Sequence, residues 1–245
     1  MSMTVICIKN ELYKIFGTVK YKLFIGVTAA MTVCNFLAGT LTASHTSFFG
    51  GNYPYLILSL CCYLFIPFAS FSLTADIISG EFERNEMKLL AARHISRSEL
   101  ILGKLGATVV YDMLLTLANV ISAAILTVIF CGISSVSLIS VFVSLLITVL
   151  PIMTVTTFSG MISLLCKTSI SAFAAELAGF AFACIMPLIF SNMNRAFFTS
   201  YLAIYKMTIG QTIPVFEIIM GAAVLIASAL MFLPCSCLIF EKKDI

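Results

Sequence analysis

MLLTLANVISAAILTVIFCGISSVSLISVFVSLLITVLPIMTVTTFSGMISLLC, residues 113–166, runs for 54 residues without an aspartate, glutamate, lysine or arginine. A helix that crosses a bilayer needs about 20 predominantly apolar residues. The stretch is therefore two spans and a connection, and the turn-prone Gly132 to Ser137 marks the reversal. Residues 23–75 form a second block without formal charge. It divides in the same way, around Ser44-His45-Thr46-Ser47 and Gly50-Gly51-Asn52. Two later apolar runs complete the pattern. Six spans are predicted, at 23–42, 54–75, 106–130, 138–165, 170–190 and 214–240. The expected fold is all-α, a single transmembrane domain over residues 1–245.

Composition points the same way. Of 245 residues, 61% are hydrophobic and 10% charged, against about 25% charged in an ordinary soluble domain. So little polar side chain cannot cover a wetted surface, which excludes a soluble enzyme, a disordered chain and a nucleic-acid-binding domain. The first apolar run begins after Lys22, too far in for the core of a cleaved signal peptide. Nine cysteines suggest a disulfide framework by number only. Cys34, Cys61, Cys62, Cys131, Cys184, Cys235 and Cys237 lie in or beside apolar runs, where they act as small hydrophobes. Cys61-Cys62 and Cys235-x-Cys237 lack the spacing and histidine partners of a zinc site, and no metal site is expected.

Lysine and arginine set the orientation. With the N-terminus cytoplasmic, twelve of the fourteen basic residues fall inside, and only Arg195 and Lys206 fall outside. Both termini then lie on the cytoplasmic side of the cell membrane, as six spans require.

Three segments are neither span nor plain loop. Residues 6–23 place Ile8, Leu12, Ile15, Phe16, Val19 and Leu23 on one helical face, with Lys9, Glu11, Lys14, Lys20 and Lys22 mostly on the rest. This predicts an amphipathic helix lying on the cytoplasmic membrane surface. Residues 76–104 hold ten of the chain's 25 formal charges. Within them Ile78, Phe82 and Leu89 repeat at helical spacing and Glu81 and Arg84 form an i,i+3 pair, as in a short helix that docks a cytosolic partner. In the outer connection 191–213, Phe197, Phe198, Tyr201, Leu202 and Tyr205 predict an aromatic helical face at the outer interface or re-entering it.

Two spans carry small residues at every fourth position: Gly26, Ala30, Cys34 and Ala38 in the first, Ser171, Ala175, Gly179 and Ala183 in the fifth. Such stripes let helices approach closely in lipid, within one chain or across a dimer seam. Asp112, Glu176 and Glu217 fall at or near membrane depth. An ionised carboxylate there costs at least about 2.5–3.5 kcal/mol. Glu176, beside Ala175, either lines a polar route that binds a cationic group or is a protonated packing residue.

Several chemistries are excluded. The two histidines, His45 and His94, sit in connections on opposite sides of the membrane, so bis-histidine haem is not possible. Ser159-Gly160 has no later histidine to serve as a base. No P-loop motif is present, since Gly103-Lys104 is followed by Leu105. ATP, if used, must be hydrolysed by another chain.

The stretch Asp76-Ile-Ile-Ser-Gly-Glu-Phe-Glu-Arg-Asn-Glu-Met-Lys-Leu-Leu90, followed by Ile95-Ser96-Arg97-Ser-Glu-Leu-Ile-Leu-Gly-Lys104, resembles the signature of ABC-2 type transporter permeases. Gly80-Glu81, Lys88-Leu89-Leu90, Ile95-Ser96-Arg97 and Gly103-Lys104 follow the family's order, while Asn85-Glu86 replaces its frequent Gly-Thr and His94 its proline. The resemblance implies the ABC-2 (type V exporter) fold, with residues 6–22 as an elbow helix. It implies a coupling helix at 78–90, seated in a cytosolic ATPase through Ile78, Gly80, Glu81, Phe82, Arg84, Lys88 and Leu89. Phe197, Phe198, Tyr201 and Tyr205 would belong to outer re-entrant helices. Spans 1 and 5 would flank the substrate path and a second permease copy, through the two small-residue stripes and Glu176. ATP and magnesium would be held by two copies of the partner ATPase, with no cofactor in this chain. The implied cargo is hydrophobic or amphipathic: a drug, an antimicrobial peptide or a peptide toxin, as in exporters of lantibiotics, bacitracin-type antibiotics or phenol-soluble modulins.

Two other readings compete. A proton-coupled secondary carrier would use Glu176 and Asp112. A vitamin-importer subunit would need an Ala-Arg-Gly coupling motif, and Ala92-Arg93 is followed here by His94.

Overall fold

The computed structural model describes residues 3–42, 52–87, 96–132, 137–190, 195–208 and 214–242. Lys88, Leu89, Leu90, Arg93, His94, Ile95, His45 and Lys243 lie outside them. Among the described residues the chain is helical without a strand. We name the helices α1 (Met3–Gly17), α2 (Val19–Thr42), α3 (Tyr53–Glu83), α4 (Arg97–Cys131), α5 (Leu138–Leu165), α6 (Ser169–Ile189) and α7 (Val215–Lys242). The six from α2 to α7 are each long and apolar enough to cross a membrane, which makes this a membrane protein.

The last three spans match their predicted limits within two residues, because apolar runs there end abruptly at polar or turn residues. The first three differ. α2 begins at Val19, separated from α1 by Thr18 alone, whose hydroxyl donates to the Ile15 carbonyl. α4 begins at Arg97 rather than near Gly106. Ser96 and Glu99 form a reciprocal capping box that satisfies two N-terminal amides nine residues before the apolar run.

α3 departs most. The expected break between a span ending at 75 and a coupling helix starting at 78 does not exist, for the helix runs on through Glu83. Two π turns, Cys61–Phe65 and Ala75–Ser79, interrupt it. The first precedes Pro67, whose missing N–H leaves a carbonyl one turn back unserved and loosens the α register. Arg84 caps α3, and Asn85 turns into the left-handed region (φ 58°), which asparagine tolerates better than most residues.

α4 is the central post. Its buried face carries Lys104, Thr108, Asp112, Thr116 and Asn119, each at most 2% exposed and three or four residues apart. Asn119 ties α4 to α2: its Nδ2 donates to Thr28 Oγ1 (3.1 Å) and its Oδ1 accepts from Thr32 Oγ1 (2.9 Å). Hydrogen bonds of this kind between membrane helices are worth about 0.6–1.7 kcal/mol. Asn119→Ala is expected to cost at least that much, read as a lowered melting temperature in detergent.

The amphipathic face of α1 is turned the other way from its sequence reading. Ile8, Leu12, Ile15 and Phe16 pack on the protein core, mainly against α4, rather than on a lipid surface. Small residues on α4 make this possible. A Cβ at Gly106 would meet Ile8 Cδ1 at 2.9 Å, and one at Gly103 would collide with Cys7.

Residues 198–208 form two 3-10 turns, Phe198–Tyr201 and Ile204–Thr208, in place of one aromatic α-helix. Their aromatic rings point into the protein. Phe198 packs against Phe158 and Phe232, Tyr201 sits over Gly221, and the Tyr205 hydroxyl donates to the Tyr55 carbonyl (2.9 Å). Phe197 remains half-buried.

Candidate functional site

The C-terminal end of α3 touches the adjoining end of every other helix in the bundle. Near its last turns, Asp76 accepts from Lys20 Nζ (2.7 Å) and from the Tyr21 hydroxyl, both on α2. Ser79 Oγ donates to the Ser163 carbonyl on α5 (2.7 Å). Gly80 lies against α6, where a Cβ would come within 2.7 Å of Ser169 Oγ. Phe82 meets Phe240 of α7 edge-on, with ring centroids 6.0 Å apart. Glu83 Oε2 accepts from the Ser169 amide (3.0 Å) and so places a negative charge at the N-terminus of α6.

Glu81 is the centre of this end. Its side chain is fully buried and accepts from Lys104 Nζ of α4 (2.7 Å) and from Lys14 Nζ of α1. Lys104, 1% exposed, also donates to Glu11 of α1 (2.9 Å) and to the Ile77 carbonyl (3.2 Å). Four charged side chains thus tie α1, α3 and α4 together. Burial disfavours the Lys14 ammonium, but its hydrogen bond to Glu81 and that carboxylate's charge outweigh it and raise its pKa above the ordinary lysine value.

The coupling residues therefore divide. Ile78, Gly80 and Glu81 are buried by the chain itself and present nothing to a partner, because the charges that suggested exposure are neutralised within the protein. Glu83, Arg84 and Asn85 are exposed, and Phe82 and Glu86 are half-buried. Among the described residues of this segment, these five keep exposed or partly exposed surface, and Lys88 and Leu89 lie outside the described residues.

The two small-residue stripes also divide. On α2, Gly26, Ala30, Cys34 and Ala38 are all exposed, on the face opposite buried Thr28, Thr32 and Phe36. On α6, Ser171 is exposed, but Ala175, Gly179 and Ala183 are half-buried, and a Cβ at Gly179 would meet Ile162 and Phe158 of α5 at 3.1 and 3.4 Å. The α6 stripe packs at least partly within one chain. Glu176 points inward and is fully buried, with both carboxyl oxygens near Thr74 Oγ1 (3.3 and 3.2 Å). Asp112 is fully buried beside Ser70, whose hydroxyl donates to its Oδ2. Glu217 is exposed near the N-terminus of α7.

Two cavities lie away from this cluster among the described residues. One, of about 230 Å³, is lined by Arg195, Tyr201, Met207, Phe216, Glu217 and Met220 at the N-terminal end of α7. It joins both signs of charge to aromatic and thioether walls. The other, of about 350 Å³, is an apolar groove between α4 and α5 lined by Met113, Leu117, Phe142 and Leu146 among others.

Sequence reasoning missed the ion cluster and the polar face of α4. Both were marked by the step of four or three residues from Lys104 through Thr108, Asp112 and Thr116 to Asn119, a polar stripe on an otherwise apolar helix.

Comparison with curated proteins finds no match. A family model described as "Protein of unknown function (DUF2705)" matches residues 7–245, from the second turn of α1 to the last residue of the chain. The chain belongs to the DUF2705 family.

Proposed function

We propose that this chain is the permease subunit of an ATP-driven exporter, with ATP hydrolysed by a separate cytosolic ABC ATPase and the permease paired with a second copy. The observation that carries the reading is the end of α3. One short charged segment contacts α1, α2, α4, α5, α6 and α7, so a push delivered to Phe82, Glu83, Arg84 and Glu86 reaches the whole bundle. Packed helices move as discrete units rather than deforming continuously, which suits transmission from a docked motor. The resemblance of residues 76–104 to the coupling region of ABC-2 permeases supports the same role. The exposed small-residue face of α2 suits a helix seam with the second copy.

The cargo we propose is hydrophobic or amphipathic: a peptide toxin, an antimicrobial peptide or a drug. The cavity that sets Arg195 and Glu217 among Tyr201, Phe216 and Met220 supports this class.

The test is reconstitution. The chain should co-purify with a P-loop ATPase. Phe82→Ala should reduce cargo-stimulated ATP hydrolysis by about tenfold, the effect of losing roughly 1.4 kcal/mol of coupling. A complex that stays stable and active after deletion of 78–90 would overturn the reading. A proton-coupled carrier is the second reading, favoured by buried Asp112 and Glu176. It requires transport driven by a pH gradient without ATP.

A further inference from the structure

Hydrogen atoms around Glu176 can be counted. Thr74 has one hydroxyl hydrogen, and its shortest contact is to the Ser70 carbonyl at 2.7 Å, against 3.2 and 3.3 Å to Glu176. Ser163, whose hydroxyl also faces Glu176, directs its hydrogen to the Thr74 carbonyl at 2.9 Å. Each hydroxyl has a single hydrogen, and these shorter contacts direct it to a backbone oxygen rather than to Glu176. The hydroxyls meet Glu176 as acceptors, and a hydrogen bond to either requires Glu176 to donate.

One turn back on α3, Ser70 donates to Asp112 Oδ2. Asp112 Oδ1 has no partner, although the residue is fully buried. A carboxylate would leave that oxygen charged and unserved, whereas a carboxylic acid removes the charge.

Among the described residues neither Glu176 nor Asp112 forms an ion pair. Among the described residues α3, α5 and α6 carry no lysine, arginine or histidine. Along α4 the nearest base to Asp112 is Lys104, two turns away and held by Glu81 and Glu11. On α2, Lys20 is taken by Asp76, and on α1, Lys14 by Glu81. Tyr111, beside Asp112, donates to the Tyr21 carbonyl. Asp76 and Glu81 on α3 are occupied by these cations. On α7 the only charged side chains are Glu217, Glu241 and Lys242, at its two ends.

We propose that Glu176 and Asp112, held on adjacent turns of α3 by Thr74 and Ser70, form a proton-binding site in the membrane core. Each acid holds one proton in this conformation. Glu176 donates a hydrogen bond to the hydroxyl oxygen of Thr74 or Ser163. The site rests on hydrogen count and charge alone, and stands whether or not an ATPase docks on the chain.

Infrared spectroscopy of the purified protein in lipid nanodiscs tests it, with no ATPase or cargo. At neutral pH the wild type should show carbonyl bands of carboxylic acids, shifted when water is exchanged for heavy water. Aqueous aspartate and glutamate are ionised there. E176Q and D112N should each remove one band. A wild-type spectrum with no acid band at neutral pH overturns the proposal, and this measurement needs no variant to fold. Acid bands that survive intact in E176Q and in D112N overturn it as well.

Discussion

Lys104→Met is expected to destabilise the protein by about 3–5 kcal/mol, the cost of leaving a buried carboxylate without its cation. Glu81 is fully buried and Glu11 only slightly exposed, and Lys104 serves both. Lys14 stays beside Glu81, but its side chain is about half exposed and cannot replace a cation in the core. Thermal unfolding in detergent should show a large fall in midpoint. Adding Glu81→Gln should recover part of the loss, since it removes the more deeply buried of the two carboxylates that Lys104 serves, while Glu11 still lacks its cation. Lys20→Met is the contrast. Its pair with Asp76 is exposed on both sides, and such pairs are worth about 0–1 kcal/mol. Equal losses from Lys104→Met and Lys20→Met would mean that the cluster does not hold α1, α3 and α4 together.

Gly103→Leu is expected to lift α1 from α4. A Cβ at 103 already collides with Cys7 Cβ, and three further carbons have no free volume to enter. Overpacking of this kind costs about 1–3 kcal/mol, which multiplies the open population by roughly 5–150-fold. Cys7 reports the opening, because it is 9% exposed in the closed contact. In a protein whose sole cysteine is Cys7, labelling by a water-soluble maleimide should accelerate by a factor in that range. Gly17→Ala, where a new Cβ meets nothing within 4 Å, should leave the rate unchanged. A wild-type rate in Gly103→Leu would show that α1 is held by something other than this contact.

What the sequence made legible followed solvent preference. Two charge-free blocks and two later apolar runs located the six apolar helices, and the one bounded by abrupt polar turns, 138–165, coincides with its helix to the residue. Failures came where charge was neutralised by partners distant in sequence. Asp76, Glu81 and Glu83 look like an exit from the membrane until Lys20, Lys104 and the amide of Ser169 are placed beside them. The same blindness turned α1 toward lipid, because an apolar stripe does not record whether lipid or protein covers it. Ser96-x-x-Glu99 did announce the early start of α4, and an apolar count overlooked it. The small-residue stripes in α2 and α6 look alike in sequence, and only packing separates the exposed one from the one that α5 partly covers.

The π turn at Ala75–Ser79 has a consequence for how the family's sequences should be aligned. A π turn is one residue more than an α-helix needs over the same rise. In a relative without it, every residue beyond would rotate by about 100° about the α3 axis. Glu81 would swing away from Lys104, and Gly80 away from Ser169. A member of the family lacking one residue between 75 and 79 should therefore carry its Gly-Glu pair at compensated positions, or have lost the lysine on α4. A gap there is a change of register in the helix, and an alignment that treats it as loop-length variation will superpose residues that face different helices.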